Sequence, residues 1–369
     1  MRRQMAAWAL ASVLAMTPAI AVDSIDHGAT PTTNLVVAGR CPGAQPSGVT
    51  ALPDGRLLLS SPRSAADHGG PRLAAWHDGS ITPFPNAPDQ KHFISPLAIT
   101  IDGNGRVWMI DEGSVAGDKG APTPILFGID AASGHIVQTI RLHAPAILPD
   151  THVNDVRIDL THGAQGTAYV SDMSLADHPA LLFIDLATGA ARRVLAGDAS
   201  VSADPGFAME VDGQMHRYDL KNPQMAQGNV DGVTLSADSS RLYWAPLSGR
   251  GLYSAPTALL ADPGVPAADL KAAVRDEGEV GVADGMATAP DGALYFTDLE
   301  RHAVVRRAPD GTLTMIAHDP RLISPDSLAL VPGALWLTVG QWSRLPGFHD
   351  GRDLQEKPYL LVRITLPQP

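Results

Sequence analysis

A chain of 369 residues with one cysteine, Cys41, has no means of stapling itself with an intrachain disulfide. That lone thiol reads as a small buried apolar group. Charged residues make up only 18% of the chain and aromatics 5%, while 44% is hydrophobic. Such a composition excludes extended disorder and leaves enough apolar mass for a large core. Basic residues are the scarcer charge, 27 against 39 acids, for a net charge of −12. That balance argues against nucleic acid and anionic membranes as partners. Past the N-terminus no apolar run approaches the ~18 residues associated with a membrane-spanning helix. The nucleophile elbow G-x-S-x-G and the zinc helix H-E-x-x-H are both missing, and the 13 histidines are scattered rather than set at ligand spacing.

The first residues read as an address. Arg2 and Arg3 form a positive start, residues 5–16 an apolar stretch, and Ala19-Ile20-Ala21 a cleavage site of the A-x-A kind. Residues 1–21 are therefore expected to be a signal peptide, with the mature chain starting at Val22 and found in the periplasm or medium. Residues 22–369 show no linker and are read as one domain, expected to be a monomer.

What the chain has in quantity is turn residues, Gly 35 and Pro 31, and a repeated phrase. DGVTLSADSSRLYWAP begins at Asp231 and returns as DGMATAPDGALYFTD from Asp284. The same opening recurs at Ser47-Gly48-Val49, Pro96-Leu97-Ala98, Asn154-Asp155-Val156 and Asp326-Ser327-Leu328. Each opening runs through an apolar strand into a tight turn, such as Pro53-Asp54-Gly55 or Pro290-Asp291-Gly292, and then into a second strand such as RVWMID or RLYWAP. A third strand (LLFIDLATG, AVVRRAPDG) and in places a fourth (HIVQTIRL) follow. Four antiparallel strands repeated six times predict an all-β protein, a six-bladed β-propeller. The last blade lacks an outer strand after YLLVRITLP, and residues 35–40 are the natural donor, pairing with residues 360–364 to close the ring. One helix is expected, over residues 266–275, with proline in its first turn. Trp108, Trp244 and Trp336 fall inside strands and read as blade packing. DGNGRVWMIDEG imitates a calcium loop at Asp102 and Asn104, but Arg106 and Val107 stand where an oxygen ligand and a glycine are needed, so it reads as a hairpin turn.

In a propeller the first strand of each blade lines the central channel, so residues at the strand starts converge on one mouth. Ser47, Asn154, Asp231, Asp284 and Asp326 are thus expected to ring a common pocket, with Asp155 and His152 as further ligand-binding candidates. A competing reading is structural, since Asp before Gly often satisfies backbone amides of a neighbouring loop. Two carboxylates close together resist joint ionisation, which would place one of Asp231 and Asp284 near the pKa of a working acid or base, and Asn154 would donate to an oxygen that gains charge. Residues 197–229 form a long irregular stretch expected to overhang one mouth.

Several phrases carry a family resemblance. HVNDVRID with TAYVSD, LLFIDLATGAARRV, DGVTLSADSSRLYWAPLSGRGLYSAPTALL, DGMATAPDGALYFTD and the earlier PLAITIDGNGRVWMIDEG resemble the major royal jelly protein and yellow family, in the right order over roughly residues 90–365. The resemblance implies a secreted six-bladed propeller; members bind small aromatic amines, and insect members are associated with dopachrome conversion. It also implies likeness to the L-dopachrome tautomerase-related proteins of bacteria. A more distant resemblance is to the senescence marker protein and gluconolactonase propellers, which hold a divalent metal with one Glu, one Asn and one Asp. On that pattern Asn154, Asp231 and Asp284 would hold a divalent cation such as Ca²⁺, but Ser47 stands near the place of the glutamate. Three readings stay open: proton transfer or isomerisation on a cyclic or aromatic small molecule, a metal-dependent lactonase, and a non-catalytic small-molecule binder.

Overall fold

Short apolar segments cut by glycine turns become strands here, and the strands sort into blades. The computed structural model describes residues 32–211, 214–217, 228–349 and 351–366; the expected signal peptide and its cleavage point before Val22 lie outside them. Among the described residues there are six four-stranded antiparallel sheets arranged as a six-bladed propeller. Blade one runs from Val49–Ala51 to Ser80–Pro83, blade two from Pro96–Ile101 to Ile136–Arg141, and blade three from Val153–Asp159 to Ala191–Val194. Blade four runs from Val230–Leu235 to Arg275–Glu279 and blade five from Ala283–Thr288 to Leu313–His318. Blade six takes its three inner strands from Pro325–Val331, Ala334–Val339 and Tyr359–Thr365, and its outer strand from Leu35–Cys41. Leu35 pairs with Ile364 and Arg40 with Leu360, the closure expected from the missing outer strand.

The core lies between blades. Trp108, Ile110 and Leu126 of blade two pack against Val156, Val170 and Leu182 of blade three, all of them buried. Trp244 is fully buried among Tyr169, Phe183 and Leu260, while Trp336 leans on Trp76 with ring centroids 5.1 Å apart. Burial of side chains this size stabilises by about 1.5–3 kcal/mol each. Asp102 is a turn residue: Oδ1 accepts from the Asn104 and Arg106 N–H groups at 2.9 and 3.0 Å, and Oδ2 from Trp108 Nε1 at 2.8 Å. Cys41 is buried, which pushes its thiol up to about 11.

Two helices form. Ala267–Ala272 lies inside the expected 266–275, but the helix stops short, and Arg275 begins the outer strand of blade four instead. The other, Thr257–Ala261, follows Pro256 and buries Leu260.

One irregularity repeats around the ring. The pairing of inner and second strands slips between Pro96 and Ile99, Val153 and Val156, Val230 and Val233, Ala283 and Met286, and Pro325 and Leu328. The bulged pairs are the openings of the repeated phrase: Leu97-Ala98, Asn154-Asp155, Asp231-Gly232, Asp284-Gly285 and Asp326-Ser327. A bulge re-aims a side chain away from the pleat. The glycines are steric: a Cβ on Gly232 would sit 2.1 Å from the Asp284 carbonyl oxygen, and one on Gly285 2.1 Å from that of Asp326. Hydroxyls on second strands tie one blade to the next, with Ser171 Oγ donating to the Asp231 carbonyl at 2.6 Å, Ser60 Oγ to that of Leu97, and Thr338 Oγ1 to that of Ser47.

Candidate functional site

The bulges deliver Asp231, Asp284 and Asp326, from blades four, five and six, to a cavity of about 490 Å³ at the channel mouth. Ser47, His152 and Asn154 line the same cavity. Asp155 does not. It occupies the second bulge position, held by glycine in blades four and five, and faces the neighbouring blade. Its Oδ1 accepts from the Val156 N–H at 2.8 Å and Arg157 Nη1 at 2.6 Å, and its Oδ2 from the Val233 N–H at 3.1 Å. The ligand contact expected of Asp155 thus gives way to a clamp between blades three and four.

The three cavity aspartates differ in support. Asp326 Oδ2 accepts from Ser47 Oγ at 2.7 Å, and Asp284 Oδ2 accepts from Trp342 Nε1 at 3.0 Å. No described residue hydrogen-bonds the buried Asp231 carboxyl. Burial, then the charges of Asp326 and Asp155, pushes Asp231 well above the usual carboxylate range. Burial, then the charges of Asp326 and Asp231, does the same to Asp284, against the pull of the Trp342 N–H. Asp326 rises through burial to about 6, its Ser47 hydrogen bond opposing the shift. All three carboxyls therefore favour the neutral acid more than an ordinary aspartate does.

Four of the lining residues that escaped sequence reasoning bear on the chemistry. Trp342 and Phe348 come from two single-turn 3-10 helices in the loop after Ala334–Val339, with rings edge to face at 6.4 Å. A tryptophan outside any strand, in GQWSRLPGF, was the available signal. The other two are Thr151 and Glu112. Glu112 closes the phrase WMIDE, where it reads as the end of a strand. Leu97, Met173, Leu175 and Leu247 supply apolar wall, and among the described residues the lining includes neither arginine nor lysine. At the rim, Phe207 and Met209 pack with Met173, Leu247 and Trp342. These begin the hairpin Ala208–Val211 with Gln214–Arg217, part of the stretch expected to overhang the mouth; residues 212–213 and 218–227 of that stretch lie outside the described residues.

Asp231, Asp284 and Asn154 do share the cavity, but the donor set suits a hard cation poorly. Calcium takes about 6–8 oxygen ligands, whereas this set offers two carboxyls and one amide, and Asp284 Oδ2 already accepts from Trp342 Nε1. Among the described residues no group of three or more His, Cys, Asp or Glu side chains is arranged to hold a metal ion.

The family model of the major royal jelly protein matches residues 94–341, from just before the inner strand of blade two to the loop carrying Trp342. The chain belongs to the major royal jelly protein family. Major royal jelly protein 2 of Apis mellifera is 26% identical over 202 residues, an alignment covering 52% of this chain and 40% of that protein. The chain thus spans about two fifths of the length of that relative. Among solved structures, regucalcin from Agrobacterium tumefaciens, described as a calcium-binding protein, superposes with a TM-score of 0.53 at 17% identity, covering 89% of this chain and 93% of that one. A luciferin-regenerating enzyme gives a TM-score of 0.53 at 11% identity, covering 88% and 92%. At such identities the likeness is one of fold. The royal jelly match takes in His152, Asn154, Asp231, Asp284 and Asp326; Ser47 and Trp342 lie outside it.

Proposed function

We propose that the channel mouth binds a small cyclic or aromatic molecule, neutral or cationic, and moves a proton on it. The observation that carries this reading is the set of three buried carboxyls with raised pKa values around an apolar cavity whose described lining holds neither arginine nor lysine. A carboxylic acid held neutral at pH 7 donates a hydrogen bond to a ligand oxygen and releases its proton as charge develops there. Asp231, with no described partner, is the foremost donor; Asp284 and the Asn154 amide support the same oxygen. Asp326, ionised above about pH 6, offers a negative charge to an amine. Trp342 and Phe348 supply faces and edges for a ring. Membership in a family whose insect members are associated with dopachrome conversion supports isomerisation over hydrolysis. No step of this chemistry runs through a metal. The chain is further proposed to act outside the cytoplasm, on the strength of the expected signal peptide.

The test is turnover of dopachrome, its methyl ester and gluconolactone, with and without EDTA and added Ca²⁺. Dopachrome turnover indifferent to EDTA is expected, with the ester preferred because the acidic wall opposes a free carboxylate. Asp231→Asn should lower it by about 10²-fold or more. Lactone hydrolysis abolished by EDTA would replace this reading with a metal-dependent lactonase. Tight binding of aromatic amines without any turnover would leave a carrier.

A further inference from the structure

The acid trio comes from blades four, five and six, whereas blades two and three bring a different pair to the same cavity. We propose that His152 is the base of this site and Glu112 its positioning residue, an assignment that rests on the proton-transfer reading above. Glu112 is 2% exposed and surrounded by donors. Ser95 Oγ donates to Oε2 at 2.6 Å, Ser64 Oγ reaches both carboxylate oxygens at 2.8 and 2.7 Å, and His152 Nδ1 lies 3.4 Å from Oε1. Ser95 Oγ itself accepts the Arg63 N–H at 2.7 Å, which turns its own hydrogen toward Glu112. Burial pushes Glu112 above the usual carboxylate range, while the charge of His152 and the Ser95 and Ser64 hydroxyls pull the other way and favour its ionised form. A carboxylate at Nδ1 keeps the ring proton on that nitrogen and leaves the Nε2 lone pair free. No described residue bonds Nε2, and the ring lines the cavity.

The backbone of His152 is equally fixed. Its N–H donates to Asp172 Oδ1 at 2.9 Å and its carbonyl accepts from the Met173 N–H at 2.9 Å. Asp172 is buried and held by Arg193 Nη1 at 2.5 Å and Thr151 Oγ1 at 2.9 Å. The titratable groups facing His152 are Glu112 at its ring, Asp172 with its partner Arg193 at its backbone, and Asp118 with the acid trio in the cavity.

The proton balance closes without an oxidant. Nε2 of His152 takes a proton from an acidic C–H or O–H of the ligand, and the electron pair left behind moves through the conjugated ring to a carbonyl oxygen. That oxygen takes the proton of Asp231. The imidazolium then loses a proton to water, Asp231 regains one, and the ligand leaves isomerised. The substrate class narrows to a conjugated ring with a carbonyl oxygen at one end and an acidic C–H or O–H at the other.

The pair is tested with His152→Gln, Glu112→Gln and Glu112→Asp, each checked for an unchanged melt. Two readouts are taken: carbethoxylation of His152 by diethyl pyrocarbonate, followed by peptide mass, and turnover of dopachrome methyl ester against pH. His152→Gln should lower kcat by about 10²-fold and change KM little, with loss of the acid limb of the pH profile. Glu112→Gln should slow carbethoxylation of His152 by roughly tenfold and lower kcat in step, with Glu112→Asp recovering part of both. A His152→Gln protein with the wild-type kcat and pH profile overturns the assignment. If wild type converts none of the three compounds, the proton-transfer reading fails for them. The carbethoxylation rate still decides the pair, because a rate indifferent to Glu112 overturns it.

Discussion

Asp231 keeps its proton in the folded chain to a pH at which the unfolded chain has lost it, and Asp284 and Asp326 behave alike. The folded state therefore binds more protons above about pH 4, where an unperturbed aspartate ionises, and stability contributed by the trio declines as pH rises. For Asp326 the decline runs through about pH 6. Asp231→Asn should then melt higher than wild type at pH 7 and no higher at pH 4, read from thermal melts across that range; a lower melt at pH 7 would mark the carboxyl as a structural hydrogen-bond partner. Trp342→Phe keeps an aromatic ring and removes the N–H on Asp284. It should make Asp284 still harder to ionise, visible as a carboxyl band persisting to higher pH in infrared spectra, and weaken ring-ligand binding by roughly tenfold at most in calorimetry. Much of the site was legible at this scale. Ser47, Asn154, Asp231, Asp284 and Asp326 share a repeat position, and position alone puts them at one mouth. Asp155 was not, because a bulge sends its two residues opposite ways and adjacency in sequence hides the difference. Glu112 follows directly on the second strand of its blade, Arg106–Asp111, outside the repeat position that was searched.

The element that makes the site is the bulge. Without the extra residue the pleat would direct these side chains elsewhere, and the inner strands could not approach so closely. Gly232→Ala should therefore cost about 1–3 kcal/mol or more, since its Cβ meets fixed backbone rather than a mobile side chain. Gly103→Ala, whose nearest neighbour is a leucine methyl at 3.7 Å, should cost far less; urea unfolding of the two variants makes the comparison. Strands announced by apolar runs between turns were found where the pattern put them. Thr257–Ala261 is too short for helical periodicity to register, and the outer strand Arg275–Glu279, RDEGE, is charged and largely exposed, so neither carries an apolar signal.

At the scale of the whole molecule, the ring closes by one pairing, Leu35–Cys41 on Tyr359–Thr365. Removing residues 35–41 bares the edge of Tyr359–Thr365 and uncovers apolar side chains packed beneath it, including Val362 and Ile364. The truncated chain should lose its cooperative melt or aggregate; calorimetry showing the wild-type transition would mean that the other five blades hold the ring unaided. The ring was readable because its last blade was one strand short, and the hydroxyl ties between blades were not, since a serine or threonine in a strand gives no sign of the carbonyl it will meet.

The closure also sets an order in time. Asn34 and Thr365, joined across that seam, are 331 positions apart, whereas each of blades one to five is complete soon after its own residues emerge. At about 5–20 residues per second, the donor strand waits tens of seconds for its partner to be synthesised. Through that interval it is an unpaired strand with an apolar face, open to capture by another nascent chain. Crowded ribosomes should therefore yield dimers exchanged at blade six before any other kind.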